Sequence, residues 1–530
     1  MRIKGYSTYI RNLLLPTIVY SGLVGGFIGV IIFFYKWGAG QLTHLSQWLY
    51  LYISNNPIFI PLLFIVLVLL AVIMSFIIKW APQSKGGGIP TSEGILRGLI
   101  SFNWIKTFLG MIVNSYISFF AGLPLGNEGP SVQIGTAIGR GIRKTFLQPD
   151  IAWDRYVMTA GASAGFAVAT CAPITGILFA LEEAHKRFSP MILSVSVIAV
   201  TVAMSIATGL GNLFDVPMKM FAFSSIKPLT LNQSWIAIAV GIFVGLGGVL
   251  FSYVYKKIGD FIQDKCANVP KVVSLIVVFI LTGICGLLFV DSVGGGHALI
   301  EKIMEGDVLW YSLLVLLVIK FFMISFANSA GATGGLFIPM LAVGALFGGL
   351  FNCIFVGILP DNVFQSVIVL SICTFLGALL RAPMTAIVFG IETMQGLDNT
   401  LYIAIAVIVA YILLELLDIK PLYDITLERN LKQLNKGKTR QIIERTVTVM
   451  PKSFVIGKQT RDIFWPPRCL VLEITRNEKM AQASMDNDGE KIIHLYDTIK
   501  LRYQTFDDNE TYFLIQELVG KQDSNNENII

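Results

Sequence analysis

Long apolar runs separated by short polar or glycine-rich breaks fill the chain as far as Leu417. The first run covers residues 13–34, and at about 22 residues it is long enough to cross a bilayer as one helix. Later runs cover residues 57–78, 108–124, 156–169, 192–210, 235–255, 272–290, 309–326, 339–356, 363–380 and 401–417. Several are too short or too rich in glycine for a perpendicular span. The pattern predicts an all-α membrane domain with tilted, broken and re-entrant helices, whose freed backbone needs cover from protein or from a water-filled cavity.

The pattern changes after Leu417, where a soluble segment begins. Residues 419–445 are polar and basic, which is typical of the cytoplasmic side of a membrane protein. The basic residues Arg2, Lys4 and Arg11 place the N-terminus on the same side. We therefore predict a multi-pass protein of the cytoplasmic membrane, with its N-terminus and its C-terminal domain in the cytoplasm.

Strand character in the soluble segment completes the division into domains. Short runs of β-branched and aromatic residues predict strands at 446–449, 469–474 and 511–515. The chain is accordingly divided into a membrane domain at 1–428, a basic linker at 429–446, a small α+β cytosolic domain at 447–520 and a disordered tail at 521–530.

Composition excludes several classes of protein. The 530 residues are 54% hydrophobic and 14% charged, whereas a soluble domain is about 25% charged, so a polytopic membrane protein is indicated. The net charge of +6 comes without a basic stripe of interleaved aromatic residues, so we expect no nucleic-acid partner. The cysteines form no CxxC pair and the histidines show no ligand spacing, so we expect no metal and no cofactor. Neither a Ser/His/Asp set nor a nucleotide-binding loop supports an enzyme.

An internal repeat divides the membrane part in two. Residues 172–179 (APITGILF) recur as 382–389 (APMTAIVF), and three glycines at 86–88 recur at 294–296. The stretch Gly126-Asn127-Glu128-Gly129-Pro130 has its counterpart at 335–339 (GLFIP). Three pairs in the same order at nearly one offset predict two homologous halves. In transporters built this way, the substrate binds where broken helices of the two halves meet near the bilayer midplane.

Glu128 carries the most informative charge in the chain. A lone carboxylate between apolar runs is expensive at membrane depth, and it is a functional candidate by default. The glycines and the proline around it predict a break followed by a helix start, which favours an anion. Because such breaks aim helix N-termini inward, we expect an anionic substrate rather than a cation. The alternative for Glu128 is a place in a short loop outside the membrane.

Together these motifs resemble those of the CLC family of chloride channels and chloride/proton antiporters. The stretch 86–90 (GGGIP) resembles the family's GSGIP motif, 126–130 its GxEGP motif, 335–339 its GxFxP motif, and 420–423 (KPLY) the tyrosine-bearing end of its last membrane helix. The resemblance implies a homodimer with one anion pathway per subunit and two halves of inverted topology. In that family the glutamate matching Glu128 occupies an anion site when charged and swings out when protonated.

The resemblance also implies which groups bind the anion. The candidates are backbone groups around the breaks and one hydroxyl, at Gly87, Gly88, Ile89, Phe337, Ile338 and Tyr423. Phe337 would contribute its backbone N–H, and Tyr423 would contribute its hydroxyl. Outside these motifs the same two residues would be interpreted as packing and as an interface anchor.

Glu183 separates the two functional branches of the family. Glu392 in the second half matches Glu182, whereas the next position there holds Thr393, so Glu183 breaks the repeat. In coupled CLC antiporters a glutamate at this position relays protons from the cytoplasm, and chloride channels usually lack it. Glu93 resembles a second family glutamate near that proton path. The alternative for Glu183 is a structural carboxylate at a wet helix end.

Two positions depart from the family pattern. Gly87 stands where the family's anion-coordinating serine usually lies, and a proline there goes with nitrate preference in plant relatives. Asn127 replaces the usual arginine or lysine, and the fluoride-specific branch can carry an asparagine there. That branch lacks the internal proton glutamate, so Glu183 argues against it. Nitrate and fluoride preference stay minority alternatives.

The soluble segment resembles the TrkA-C (RCK C-terminal) domain. The likeness lies in residues 453–464 (SFVIGKQTRDIF), 469–476 (CLVLEITR) and 497–501 (DTIKL), where a later strand is expected. Such domains usually dimerise and bind small ligands, so the resemblance implies a regulatory module for cyclic di-AMP or another nucleotide. The alternative is a passive dimer clamp.

These observations favour a chloride (anion)/proton antiporter. Its partners would be chloride or a related monovalent anion, protons, membrane lipid and a second copy of the chain. A passive anion channel of the same fold is the first alternative. A cation transporter is disfavoured, because helix N-termini present the wrong end of the dipole to a cation.

Overall fold

Each apolar run forms one or two helices in the computed structural model. This structure describes residues 14–147, 151–221, 223, 226–265, 269–394, 396–451, 453–476 and 489–521. The N-terminal residues Arg2, Lys4 and Arg11 and nearly all of the expected tail lie outside the described residues.

The membrane domain is built from helices that follow one another in two similar sets. The first half consists of α1 (Leu15–Asn55), α2 (Ile60–Trp80), α3 (Ile89–Leu96), α4 (Trp104–Phe120), α5 (Glu128–Ile142), α6 (Asp154–Thr170), α7 (Pro173–Phe179) and α8 (Pro190–Leu213). The second half consists of α9 (Ser234–Asp264), α10 (Lys271–Leu288), α11 (His297–Glu305), α12 (Trp310–Ala330), α13 (Phe337–Ile354), α14 (Phe364–Leu380), α15 (Pro383–Thr393) and α16 (Thr400–Leu416), and α17 (Leu422–Leu434) follows. Among the described helices, seven are long and apolar enough to cross a membrane, namely α1, α2, α8, α9, α10, α12 and α13. The short helices between them confirm the predicted broken architecture.

The helix starts confirm the internal repeat. Helix α11 starts 208 residues after α3, α13 starts 209 after α5, and α15 starts 210 after α7. The residues just before α7 and α15 also repeat an unusual backbone conformation, since Cys171 and Arg381 have φ angles of 54° and 57°. A left-handed conformation is uncommon outside glycine, so the two halves share local geometry as well as sequence.

Small residues let the central helices approach closely. Helix α5 packs on α6, and α13 packs on α14. A Cβ built on Gly135 or on Gly161 would overlap the carbonyl oxygen of the other residue, so no side chain fits at this crossing. Close contact through small residues is how helices associate where no hydrophobic effect drives them together. Helices α2 and α10 are much more exposed than α13, which places them toward the periphery.

Two glutamates join the halves at the short helices α7 and α15. The Glu182 carboxylate accepts hydrogen bonds from the Met384 and Thr385 N–H groups at 3.0 and 2.7 Å, and from the Thr385 hydroxyl at 2.7 Å. The Glu392 carboxylate accepts the three equivalent bonds at the start of α7, at 2.8, 2.8 and 2.6 Å. Each glutamate therefore caps the N-terminus of a helix in the opposite half, where negative charge is favourable.

The C-terminal domain is a small α+β unit. Its antiparallel sheet has the order β1-β3-β2, with β1 (Gln441–Thr448), β2 (Cys469–Thr475) and β3 (Thr498–Thr505), and α18 (Asp508–Val519) follows. Alternate residues of β3, Ile499, Leu501 and Tyr503, are buried, as expected for a sheet with one covered face. The strands predicted at 446–449, at 469–474 and after Asp497 are confirmed.

The strand predicted at 511–515 is wrong, because these residues belong to α18. The Asp507 carboxylate caps this helix by accepting the Glu510 N–H at 3.3 Å. Buried Ile515, Leu518 and Val519 then follow at helical spacing. The connector is also shorter than the linker predicted at 429–446, since α17 ends at Leu434 and β1 begins at Gln441.

The buried carboxylate of Asp497 holds the chain in place immediately before β3. Asp497 accepts hydrogen bonds from Arg476 Nε and Nη2 at 2.9 and 3.0 Å, and from the His494 N–H at 2.8 Å. Burial alone would raise the pKa of the Asp497 carboxyl, but these hydrogen bonds hold the pKa below its ordinary value. The ionised form therefore stabilises the domain, and this contribution is lost as the pH falls through the lowered pKa.

The reciprocal caps predict a stability change at the membrane domain. Glu392→Ala leaves N–H groups at the start of α7 without partners, which should lower the unfolding free energy by about 1–3 kcal/mol. Thermal unfolding of the purified protein in detergent measures this. The control is Glu428→Ala, which removes an exposed glutamate paired with Lys420 and should change stability by less than about 0.5 kcal/mol. Equal melting of the two variants would contradict the capping role.

Candidate functional site

The helix breaks meet at the centre of the membrane domain. Gly126 donates its N–H to the Gly335 carbonyl at 2.8 Å, and Gly335 donates to the Gly126 carbonyl at 2.6 Å. This antiparallel bridge holds the starts of α5 and α13 together. Each start offers N–H groups without a partner inside the helix, at the positive end of the helix dipole. The arrangement therefore attracts negative charge.

Glu128 is the first residue of α5 and is 0% exposed. Among the described residues, neither of its carboxylate oxygens has a hydrogen-bond partner. The backbone N–H groups of Glu128 and Ile338 and the ammonium of Lys36 nevertheless face the carboxylate and favour its charge. A Cβ built on Gly126 would overlap Glu128 Oε2, so the absence of a side chain at Gly126 lets the carboxylate take this position. Burying a carboxylate without fixed partners is costly. A carboxylate in this state is therefore expected to move or to change its protonation.

The glycines before α3 bring a third helix start to this point. Gly88 has a φ of 81°, and a Cβ there would collide with the Gly129 carbonyl. A Cβ on Gly129 would in turn meet the Gly87 carbonyl and the Gly335 backbone. The starts of α3, α5 and α13 are consequently in backbone contact. Gly87, Gly88 and Ile89, which were predicted to bind the anion, lie beside the start of α5.

The Phe337 ring is locked by two aromatic neighbours. Its centroid lies 5.1 Å from that of Phe166 at 88° and 5.1 Å from that of Phe389 at 87°, so both contacts are edge-to-face. The ring and the neighbouring Ile338 side chain are buried. Packing thus holds the ring, and the first turn of α13 is left to present its backbone N–H groups.

Tyr423 lies near the start of α17 and is buried. Within the described part of the chain, its hydroxyl has no hydrogen-bond partner. The same hydroxyl is within electrostatic range of Glu183, Glu93 and Glu128. A buried tyrosine is not an interface anchor, and a buried hydroxyl without a partner remains available to a ligand.

Glu183 lies in a π-helical turn, Ala180–Ala184, which continues α7. Such turns occur frequently at functional sites. Glu183 and Glu93 are both buried and interact electrostatically with each other and with Lys186 and Asp424. Neither Glu183 oxygen has a hydrogen-bond partner among the described residues. The structure therefore places both predicted proton glutamates in one cluster, apart from Glu128.

Arg97, at the end of α3, holds this cluster together. It donates to the backbone carbonyls of Glu183 and Ala184, each at 3.0 Å, and lies 3.5 Å from the Glu93 carboxylate. A second contact of 3.6 Å joins it to Asp424 on α17. Arg97 thus positions the Glu183 turn while leaving the Glu183 carboxylate free.

The C-terminal domain contacts the residues that follow Glu183 in the chain. Phe464 stacks on His185 with ring centroids 4.8 Å apart. The Ser189 hydroxyl donates to the Asp462 carboxylate at 2.6 Å. Because His185 is only two residues from Glu183, these contacts place the C-terminal domain next to the turn that carries this carboxylate.

Sequence reasoning did not single out Arg97, Lys320 or the capping roles of Glu182 and Glu392. The sequence did contain a signal for Glu182 and Glu392, because these two residues occupy equivalent positions in the two copies of the repeat. The sequence also contained a signal for Lys320, which is a lone cation inside an apolar run. In the structure Lys320 is buried and donates to backbone carbonyls that include that of Gly294, at 2.7 Å. Arg97 carried no such signal, because its partners other than Glu93 are distant in sequence.

Comparison with known proteins agrees with this geometry. The family model described as "Voltage gated chloride channel" matches residues 69–415. The H(+)/Cl(-) exchange transporter ClcA of Klebsiella pneumoniae subsp. pneumoniae is 30% identical over 378 residues, which cover 70% of this chain and 79% of that protein. ClcA of Citrobacter koseri is 31% identical over 376 residues with the same coverage. These relatives are transporters, not enzymes.

Solved structures agree on the fold. A slow cyanobacterial Cl-/H+ antiporter matches with a TM-score of 0.72 at 24% identity, covering 79% of this chain and 99% of that chain. A CLC-type fluoride/proton antiporter matches with a TM-score of 0.62 at 20% identity, covering 75% and 95%. The family match ends before the C-terminal sheet, so the resemblance of that domain to TrkA-C stays a prediction. With its membrane-spanning helices and a family match over more than half of its length, the chain is a multi-pass membrane protein that belongs to the voltage-gated chloride channel (CLC) family.

Proposed function

We propose that the protein is an anion/proton antiporter with chloride as its main anion. The observation that carries this proposal is the buried, unpartnered carboxylate of Glu128 where helix N-termini converge. A place that favours a carboxylate also favours a small anion, so the two compete for it. The names of the relatives, which are Cl(-)/H(+) exchangers, support the same function.

Proton coupling follows from the charge of Glu128. When the carboxylate is protonated, its attraction to the helix starts is lost, and the neutral side chain can leave the site to an anion. Glu183 provides a second proton station, with Glu93 beside it and Arg97 fixing the backbone of its turn. Tyr423 and the backbone of Gly87, Gly88, Ile89, Phe337 and Ile338 supply donors to the anion between these stations.

Anion preference depends on donors other than a hydroxyl at position 87. Gly87 offers only its backbone, and Asn127 at the start of α5 makes no capping hydrogen bond with its side chain. Nitrate and fluoride are therefore the anions to compare with chloride.

We place the protein in the cytoplasmic membrane as a homodimer. Helices α7 and α15 pack on each other and expose Ile174 and Met384, an apolar surface suited to a second copy or to lipid. The C-terminal domain covers the end of the molecule that holds Glu183, which is the end expected to receive cytoplasmic protons. This arrangement supports a cytoplasmic location for the C-terminal domain, and the basic residues Arg2, Lys4 and Arg11 favour the same side for the N-terminus.

The C-terminal domain is proposed to regulate transport by binding an anionic ligand. A cavity of about 1840 Å³ lies between this domain and the membrane domain, and its lining mixes basic residues, among them Lys438, Arg440 and Arg468, with acidic ones such as Asp507. The Arg440 guanidinium lies 5.2 Å from the centre of the Phe506 ring, so charge and an aromatic face occur together. Cyclic di-AMP is the first candidate ligand, followed by other nucleotides such as ATP. A passive dimer clamp is the alternative.

The first prediction concerns Glu128. Glu128→Gln keeps the shape and removes the charge, so anion flux should persist, lose its pH dependence and no longer drive protons. Anion-driven proton uptake in proteoliposomes, with chloride, nitrate and fluoride compared, measures this. The control is Glu301→Gln, an exposed carboxylate on α11, which should couple like the parent. Retained proton pumping in E128Q would rule out the assignment.

The second prediction concerns Glu183. Glu183→Gln should abolish proton coupling while anion flux continues, because Glu183 lies in the cluster with Glu93 and Arg97 rather than at the helix starts that form the proposed anion site. Reversal potentials under opposed chloride and pH gradients measure the coupling, with Glu428→Gln as an exposed control. If E183Q couples as well as the parent, Glu183 is structural and a passive channel becomes the better interpretation.

The third prediction concerns the docked domain. A chain truncated after Arg440 should still transport anions but should not respond to cyclic di-AMP or ATP, whereas the full chain should. Phe464→Ala, which removes the stacking on His185, should weaken the response, and Phe513→Ala on the exposed face of α18 should not. A full-length protein that binds neither ligand, with truncation lowering only its stability, would favour the dimer clamp.

A further inference from the structure

A small cavity opens beside Gly87 toward α17. Its volume is about 20 Å³, roughly enough for one water-sized occupant. Gly86, Gly87 and Asn328 contribute to its lining, and its charged lining residues, Lys85 and Arg429, are both cationic. A cavity of this size and charge suits a small monovalent anion.

Asn328, on α12, directs an unused donor to this cavity. Its side chain is 6% exposed, and Nδ2 has no hydrogen-bond partner among the described residues. A Cβ built on Gly87 would lie 3.2 Å from that Nδ2. The Asn328 amide therefore occupies the space into which a side chain at position 87 would extend.

A hydrogen bond to the oxygen of the Asn328 amide fixes the orientation of this amide. The Tyr255 hydroxyl donates to Asn328 Oδ1 at 2.6 Å and also lies 2.7 Å from Thr426 Oγ1. Because the acceptor end of the amide is held by Tyr255, the NH₂ end turns toward Gly87. The three side chains come from α9, α12 and α17, so helix packing sets the direction of the donor.

Arg429 brings a second unused donor to the same cavity. Its side chain is 8% exposed, Nη1 donates to Ser329 Oγ at 3.3 Å, and Nη2 has no partner among the residues described. The guanidinium lies 5.5 Å from the centre of the Tyr255 ring. Buried polar groups are normally hydrogen-bonded, so the unpaired Asn328 donor beside a cavity with cationic lining suggests an anionic acceptor, with the Arg429 charge nearby.

We propose that Asn328 Nδ2, supported by the Arg429 guanidinium, donates a hydrogen bond to the transported anion beside Gly87 and thereby sets anion affinity. This inference rests on the proposed anion transport. Hydrogen bonds to a charged acceptor are the stronger kind. Asn328 supplies from α12 the side-chain donor that Gly87 lacks.

Chloride binding to the purified full-length protein, measured by titration calorimetry, tests this inference. Asn328→Ala should weaken chloride binding about tenfold or more, the effect of losing one hydrogen bond to a charged partner. The matched control is Asn352→Ala, which removes a buried amide that donates to the Gly348 and Phe364 carbonyls. This control should bind chloride like the parent.

Two further variants keep the test decisive. In the Asn328→Ala background, Gly87→Ser places a hydroxyl next to the vacated space and should restore part of the chloride affinity. Tyr255→Phe keeps Asn328 but frees its amide to rotate, so it should weaken chloride binding by a smaller factor.

The outcomes separate this inference from the proposed function. Unchanged chloride affinity in N328A, or in Y255F if N328A does not fold, overturns the role of Asn328 and leaves antiport intact when the parent still couples chloride to protons. A parent protein with neither chloride binding nor coupled flux overturns both.

Discussion

The fold depends on how the chain satisfies its backbone where helices break inside an apolar layer. Lipid offers no hydrogen bonds, so every freed N–H needs a partner within the protein. Gly126 and Gly335 satisfy each other through two backbone bonds, and the remaining N–H groups of α5 and α13 face inward. Such positive helix ends need a negative partner when they are buried. Glu128 is the negative charge that the chain places there, so the same constraint that joins the halves creates the proposed anion site.

Four glutamates of the membrane domain differ in how many hydrogen bonds they accept, and this difference matches the structural and transport roles proposed for them. Glu182 and Glu392 each accept three bonds from a facing helix start, so neither can leave without exposing N–H groups. Glu128 and Glu183 are more deeply buried, at 0% and 1% exposure, yet their oxygens accept none within the described part of the chain. Deep burial without fixed hydrogen-bond partners therefore distinguishes the two proposed transport glutamates from the two helix caps.

Local motifs made much of the fold and the site predictable. The break before Glu128 depends on neighbouring glycines and a proline, whose conformational effects need no tertiary context. The segment 511–515 was misassigned because its residues suit a strand, while the cap at Asp507 directs a helix. Asn328 could not be found from sequence, since its donor is unused only because Tyr255 holds the other end of its amide. Contacts between distant elements carry that information, and one sequence does not show them.

The repeat is symmetric in its backbone but not in its polar groups. Thr393 stands opposite Glu183 and donates to a carbonyl of its own helix at 2.7 Å, so it is satisfied where Glu183 is free. The backbone before α11 is likewise satisfied by a side chain of its own half, because the Lys320 ammonium donates to the Ser292 and Gly294 carbonyls at 3.0 and 2.7 Å. The corresponding glycines before α3 instead border a cavity with unused donors. The first half thus keeps unused polar groups at the proposed anion and proton sites, whereas the equivalent positions of the second half are filled by its own side chains. Two similar halves can in this way form one pathway whose ends differ, and a transporter that exchanges two different ions requires that difference.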